Sequence, residues 1–444
     1  MLRGEFCFNN IGQGLFYSGK ITCDDNKSDC YVVYDCGTLD GLDDHFKSVL
    51  KSALPHQNSH LALLMISHFD ADHVNGIPFL LKRVSRIDTI IMPYLTIEER
   101  ALIASMSDVK DDENYLRFIA DPVGFFEESS VRIGRIILLT HSADELNNDI
   151  PPFSDDSPKD YFDKLKHLKD KEVNPSKDLY TIDNKTTNVH ICYDTFKCEI
   201  CGGWCFKFYV NELTNKKEKN KKMDAFLREM EKIIEEVNPK KDAKRLINAI
   251  VGDIDVLHRV QDIYKKHISS DMNNTSLVAL HYPDTSNFDN IGYTIGVFPE
   301  YTQMLCHCIL PDCRFCNPCY SDNGSDFVTL LSGDINFNKD LDGIRNRFGD
   351  NLLSKAAVAL VPHHGAVNSW SEEALDIIGN RFIRWVVSSG VNSRFGHPHN
   401  EVITSLLRQH ARFLWCNNHQ KVLVSAVANM GDNNKGFVIR SESK

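Results

Sequence analysis

Leu61-Ala62-Leu63-Leu64-Met65-Ile66-Ser67-His68-Phe69-Asp70-Ala71-Asp72-His73 is the stretch that decides the fold. Six apolar residues in succession predict a buried strand. The four N/O ligands that follow fall on one short loop at its mouth. His68 and Asp70 are two apart on extended backbone, so both side chains leave the same side of the chain and can converge on one ion. Asp72 and His73 can then serve a second. Imidazole with carboxylate suits zinc, manganese or non-haem iron, and two ions held close together clamp a nucleophilic water and a leaving oxygen. Surface charges after a strand would be the plain alternative, but so dense a ligand set at a strand mouth favours metal-assisted hydrolysis.

Working outward, other chemistry-bearing segments occur in order: Asn10-Ile11-Gly12-Gln13-Gly14, Tyr34-Asp35-Cys36-Gly37, Leu330-Leu331-Ser332-Gly333-Asp334-Ile335, Val361-Pro362-His363-His364-Gly365 and Phe395-Gly396-His397-Pro398. Asp334 follows an apolar strand and a Ser-Gly turn that frees the loop to approach an ion, which makes it the candidate bridging ligand. Together with the first loop, these segments resemble the metallo-β-lactamase superfamily, whose signature is His-x-His-x-Asp-His. Asp70 stands where most members carry the second His, a variant similar to the branch that includes the hydrolase domain of the DNA-uptake channel protein ComEC. Asn10 and Leu15 depart from that branch, which usually has Asp at both.

The resemblance implies an α/β fold, the αββα metallo-β-lactamase sandwich, over residues 1–444. It also implies two divalent metals, zinc or manganese, held by His68, Asp70, Asp72, His73, Asp334 and His364. One metal would lie near His68 and Asp70 and the other near Asp72, His73 and His364, with Asp334 between them. Asp35 and His363 would brace ligands from behind. His397, fixed between Gly396 and Pro398, would hydrogen-bond a phosphate or leaving oxygen; a merely structural loop His is the alternative. Asp72, Asp334 and His397 are therefore the catalytic candidates. Most of the superfamily supplies a further His where this chain reads Met272-Asn273-Asn274-Thr275-Ser276, and Asn273 is a poor ligand, so the first site is expected to have three protein ligands. His281 and His307 are spare histidines that could complete it.

The chain has 444 residues, 42% hydrophobic and 25% charged, ample for a core. It shows no membrane-length apolar run and no signal-peptide pattern at Met1-Leu2-Arg3-Gly4-Glu5-Phe6, from which a cytoplasmic location and no membrane partner are expected. A formal net charge of −11 argues against a broad basic face for duplex DNA, and the lysine runs at 216–222 and 240–245 are interleaved with acids. Two insertions interrupt the core pattern: a helical and Cys-containing segment at 141–270 and a Cys-rich one at 283–326. Each offers a surface for a protein partner.

The expected function is phosphodiester hydrolysis, with DNA or a nucleotide as the substrate that the resemblance implies. Another ester, a phosphocholine ester or a lactone, suits the same site. A non-catalytic metal-binding sensor or assembly subunit is the alternative from a different class.

Of 14 cysteines, eight cluster in the insertions, at Cys198, Cys201 and Cys205, and at Cys306, Cys308, Cys313, Cys316 and Cys319. In a reducing compartment, paired Cys-x-x-Cys turns suit zinc better than disulfides. A structural zinc on Cys198, Cys201, Cys313 and Cys316 would pin one insertion to the other. Replacing Cys313 and Cys316 by Ser should then release about one zinc per chain and loosen both insertions to proteolysis, measured by metal content and digestion rate. Unchanged zinc content would remove this assignment.

Overall fold

The computed structural model describes residues 1–141, 188–211, 228–236, 249–267, 276–284, 290–299 and 327–429, apart from 25, 96, 108–111, 231, 234, 251, 380–382 and 410. The chain is mixed α/β, with two sheets. The first contains β1 (Leu2–Phe8), β2 (Gly14–Cys23), β3 (Asn26–Thr38), β4 (Ser59–Met65), β5 (Val84–Pro93), β6 (Arg132–Thr140) and β7 (Asn188–Tyr193). The second begins with β8 (Lys197–Ile200), β9 (Trp204–Tyr209) and β10 (Val278–Pro283). β11 (Asn290–Pro299) returns to the first sheet; β12 (Val328–Leu331), β13 (Ala356–Leu360), β14 (Arg384–Ser388) and β15 (Arg412–Cys416) extend the second. β16 (Gln420–Asn429) closes the first between β11 and β1.

Strand orders are β11-β16-β1-β2-β3-β4-β5-β6-β7 and β15-β14-β13-β12-β10-β9-β8. Each sheet is antiparallel on one side and parallel on the other: β3 to β7 run parallel, as do β12 to β15. The parallel strands read as continuous apolar runs because both faces are covered. Val32, Tyr34, Leu63, Met65 and Ile91 of the first sheet share a buried core with Phe206, Phe208, Ala279, Leu331 and Val386 of the second. Val33, Leu61, Leu64 and Ile90 face the other way, onto the helices Asp44–Ala53, Glu113–Ala120 and Ile254–His267. Leu330, Ala359 and Trp385 likewise pack on Leu341, Ile344 and Leu406 of helices Phe337–Phe348 and Asn400–Arg408. Four layers result, helix, sheet, sheet and helix, each apolar face buried against the next.

Parts of both insertions join this frame. Residues 188–209 supply β7, β8 and β9, and 290–299 supply the edge strand β11. Met230, Ile233 and Ile250 from the charged tract between them are buried against the outer helices. Among the described residues no helix is long and apolar enough to cross a membrane. A closing strand expected at 436–440 lies outside the described residues.

The sheets are also stitched through polar groups. Tyr34 of β3 donates its hydroxyl to the Leu277 carbonyl at 2.6 Å, and Leu277 N–H donates to the Ser67 carbonyl at 2.7 Å. His281, a spare ligand by sequence, belongs instead to the inter-sheet core. Trp204 Nε1 donates to its Nδ1 at 3.1 Å, which puts the imidazole proton on Nε2, 2.8 Å from the Tyr17 hydroxyl. Burial pushes His281 down to about 3 from an ordinary 6.5. Between those values the unfolded chain binds a proton that the folded chain refuses, so stability rises with pH across the window and is lost as pH falls through it. His281→Gln keeps polar partners for Trp204 and Tyr17. It should flatten the acid limb of stability against pH by about 1.4 kcal/mol per pH unit, measured by denaturant titration. An unchanged slope would assign acid sensitivity to other groups.

Candidate metal centre

The loops after β4 of one sheet and after β12, β13 and β14 of the other carry most of the chemistry-bearing segments, while residues 34–37 lie at the end of β3 itself and residues 10–14 lead from β1 into β2. Ligand sites in α/β sheets form at the carboxyl ends of strands. After β4 the chain leaves the ladder at Ser67 and enters the short helix Ala71–Val74, carrying Asp72 and His73. Gly37, past the end of the apolar part of β3, lets that helix approach: a Cβ there would stand 2.6 Å from Val74 N and 2.7 Å from the Asp72 carbonyl carbon. Asp334 follows Gly333, whose φ of 55° suits glycine, and a Cβ there would stand 2.9 Å from Ser67 Cβ. His363 and His364 both take left-handed backbone conformations, at φ 49° and 54°, and swing onto the cluster from the end of β13.

Asp35, fully buried, organises the first loop. Its Oδ1 accepts Ser67 N–H at 2.6 Å; its Oδ2 accepts the Ser67 hydroxyl at 2.5 Å and lies 2.8 Å from His73 Nδ1. Ser67 has spent its one hydroxyl hydrogen on Asp35, so at 2.9 Å it accepts from His68 Nδ1. Both histidines therefore direct bare Nε2 atoms inward. His68 Nε2 is buried with no hydrogen-bond partner, which is costly unless a Lewis acid meets it. His364 is aimed the same way, its Nδ1 donating to the Ser388 carbonyl at 2.7 Å.

The inward atoms converge. Asp334 Oδ1 lies 3.3 Å from His73 Nε2 and 3.7 Å from His364 Nε2, while its Oδ2 lies 3.6 Å from both His68 Nε2 and His363 Nε2. His364 Nε2 is 3.2 Å from Asp72 Oδ2 and from His73 Nε2. Two ligand atoms, each about 2.1 Å from a shared tetrahedral ion, stand about 3.4 Å apart, so these spacings suit metal ligands better than hydrogen bonds. Two overlapping buried groups could hold an ion: His68, His73 and Asp334, and Asp72, His73 and His364. Sequence reasoning divided the ligands differently, since His73 joins both groups.

The electrostatics also call for a cation. Burial works against a charged His73, yet Asp334, Asp35 and Asp72 raise it well above the usual histidine range. His364 is raised in the same way, with Asp334 and Asp72 overcoming burial. Asp334 is depressed, its own burial overcome by His364, His73, His363 and His68. The carboxylates thus demand positive charge from whatever stands between them. His68, pushed down to about 3 by burial and by His73, stays neutral as a ligand must.

Among the described residues, the other predicted ones belong to neither group. Asp70 reaches His68 Nε2 only at 3.7 Å, with a side chain 41% exposed, and belongs to neither group. His363 is tied by Nδ1 to the Ser369 hydroxyl at 3.0 Å. The His397 ring stands 5.6 Å from that of His363 and 6.3 Å from that of His364; its Nδ1 is buried and unpartnered, and burial followed by His364, His363 and His399 lowers it to about 3. Asn273 and His307 lie outside the described residues. So do Cys313 and Cys316; of their expected zinc partners, Cys198 is buried in the inter-sheet core and Cys201 lies in the β8–β9 turn. Among the described residues no metal-competent group includes a cysteine. Ser67 and the Ser388 carbonyl were missed by sequence; only the adjacency of Ser67 to His68 could have flagged the first.

No protein-family model matches the chain, and no curated protein matches its sequence. Asp35→Asn keeps a side chain that tolerates the left-handed backbone at φ 56° but weakens the acceptor for His73. Metal affinity, read by chelator competition, should fall roughly 10- to 100-fold. Unaltered affinity would show that Asp35 does not orient His73 for a metal.

Proposed function

We propose that this protein is a metal-dependent hydrolase of the metallo-β-lactamase type, cleaving a phosphodiester of DNA or a nucleotide with two divalent ions, zinc or manganese. The observation that carries the reading is the convergence of loops from both sheets on one buried cluster, in which Asp334 turns one oxygen to His68 and the other to His73 and His364. A carboxylate facing two ligand sets is what a bridge requires.

The residues divide the work. His68 and one Asp334 oxygen would hold one ion, and Asp72, His73 and His364 with the other Asp334 oxygen the second; His73 also lies close enough to His68 to serve the first instead. Such ions supply Lewis acidity toward a phosphoryl oxygen and a water acidic enough to be a nucleophile near neutral pH. Asp35, Ser67 and the Ser388 carbonyl fix the imidazole tautomers and spare the site reorganisation. His363, half-buried, presents its ring at the margin of the cluster, where it can position a substrate oxygen. His397 is held neutral, so it offers one N–H and one bare nitrogen and can hydrogen-bond the leaving oxygen.

Metal analysis of the purified protein, joined to a screen of nuclease, nucleotide and simple phosphodiester substrates with zinc, manganese and magnesium, tests the reading. Wild-type protein should bind metal and turn over a phosphodiester. Asp72→Ala and Asp334→Ala should each lose that turnover by 10³-fold or more, roughly the loss of a metal's Lewis-acid stabilisation, while retaining the wild-type circular dichroism. Lactone or phosphocholine-ester turnover in place of phosphodiester turnover would redirect the substrate. Bound metal with no turnover of any ester would leave a non-catalytic metal protein.

A further inference from the structure

We propose that Cys30 and Cys201 form a reversible disulfide that joins the two sheets at the end of the sandwich opposite the metal cluster. The cysteines come from distant parts of the chain and different sheets, and no sequence spacing links them. Cys30 is on β3, register-paired with Ile21 of β2. Cross-strand partners project to the same face, and Ile21 is buried in the inter-sheet core, so Cys30 points toward the second sheet. Cys201 lies in the turn closed by the Ile200 and Trp204 pair, at a left-handed φ of 54°, followed by Gly202 and Gly203 at positive φ.

That turn hangs over the β2–β3 hairpin. The Cys201 thiol donates to the Ile21 carbonyl oxygen, 3.7 Å away, and Ile21 is the cross-strand partner of Cys30, so the two cysteines meet within hydrogen-bonding reach on the same rim of the core. Both sulfurs are half-buried, packed on the rim of the inter-sheet core yet within reach of a small reagent. A left-handed conformation is unfavourable for cysteine and is retained here where it brings one thiol onto another. Metal binding accounts for this pair less well, because no group of three ligand residues among the described ones includes either sulfur. The five residues of β3 from Cys30 to Asp35 span roughly 17 Å, so the pair stands clear of the histidine cluster.

The chemistry closes with a low-molecular-weight disulfide as oxidant. The Cys30 thiolate attacks one of its sulfurs, breaking that S–S bond and releasing one small thiolate, which takes up a proton. Cys201, its proton lost to solvent, then attacks the Cys30 sulfur of the mixed disulfide. The Cys30–Cys201 bond forms and the second small thiolate leaves. Two protein thiols are oxidised and one small disulfide is reduced to two thiols. In a reducing compartment the pair rests as thiols.

The test uses the full-length wild-type protein. It is incubated with oxidised glutathione, alkylated with N-ethylmaleimide, digested without reduction and mapped by mass spectrometry. A peptide pair joined through Cys30 and Cys201 is expected, with loss of two alkylatable thiols that dithiothreitol restores. Cys30→Ser and Cys201→Ser should each abolish that pair, whereas Cys192→Ser, on β7, should retain it. Alkylation of both Cys30 and Cys201 in the oxidised wild-type protein would overturn the proposal. So would linkage of Cys201 to a cysteine of 306–319, or protection of Cys201 that only a zinc chelator relieves. None of these readouts depends on hydrolysis.

Discussion

The buried carboxylate of Asp35 is the constraint on which the rest of the site depends. A charge with no exposure must be matched, and Asp35 is matched by a backbone N–H, a hydroxyl and an imidazole drawn from one short loop. Satisfying it fixes the direction of every proton nearby. Ser67 is left as an acceptor, His68 and His73 are left with bare inner nitrogens, and the loop is pressed onto β3 at a place where only glycine fits. The site is therefore pre-organised by the protein before any ion arrives.

Much of this was legible because the first ligands are local. A run of apolar residues followed by His68, Asp70, Asp72 and His73 signals strand and loop within 13 residues. The ends of β12 and β13 carry similar apolar-then-polar punctuation, and Asp334 and His364 do reach the cluster. The antiparallel halves were harder. Ile291, Tyr293 and Ile295 alternate as a strand should, yet the cysteines that follow obscure the pattern. Phe337, Leu341, Ile344 and Phe348 lie at helical spacing on a helix stopped at Gly349, a periodicity easily lost beside the conspicuous Asp334.

What was not legible is non-local. His281 looks like a spare ligand in one dimension, because nothing in the sequence says that Tyr17 and Trp204 will close around it. Cys198 with Cys201 reads as one knuckle. In the fold, alternation along β8 buries Cys198 between the sheets, while the turn carries Cys201 away to the first sheet. Spacing along the chain ranks partners only when backbone geometry keeps neighbours together.

The division of the cluster between two sheets has a consequence for how the molecule matures. His73 and His364 meet in the fold but stand 291 residues apart in the chain. Closing so long a loop precedes any gain from that contact, and contacts of this separation form late. During synthesis the amino-terminal half can complete the Asp35, Ser67 and His73 brace while lacking the opposing ligands. An ion held by both His73 and His364 could bind only after the carboxy-terminal strands have docked, so metal binding would report a finished sandwich.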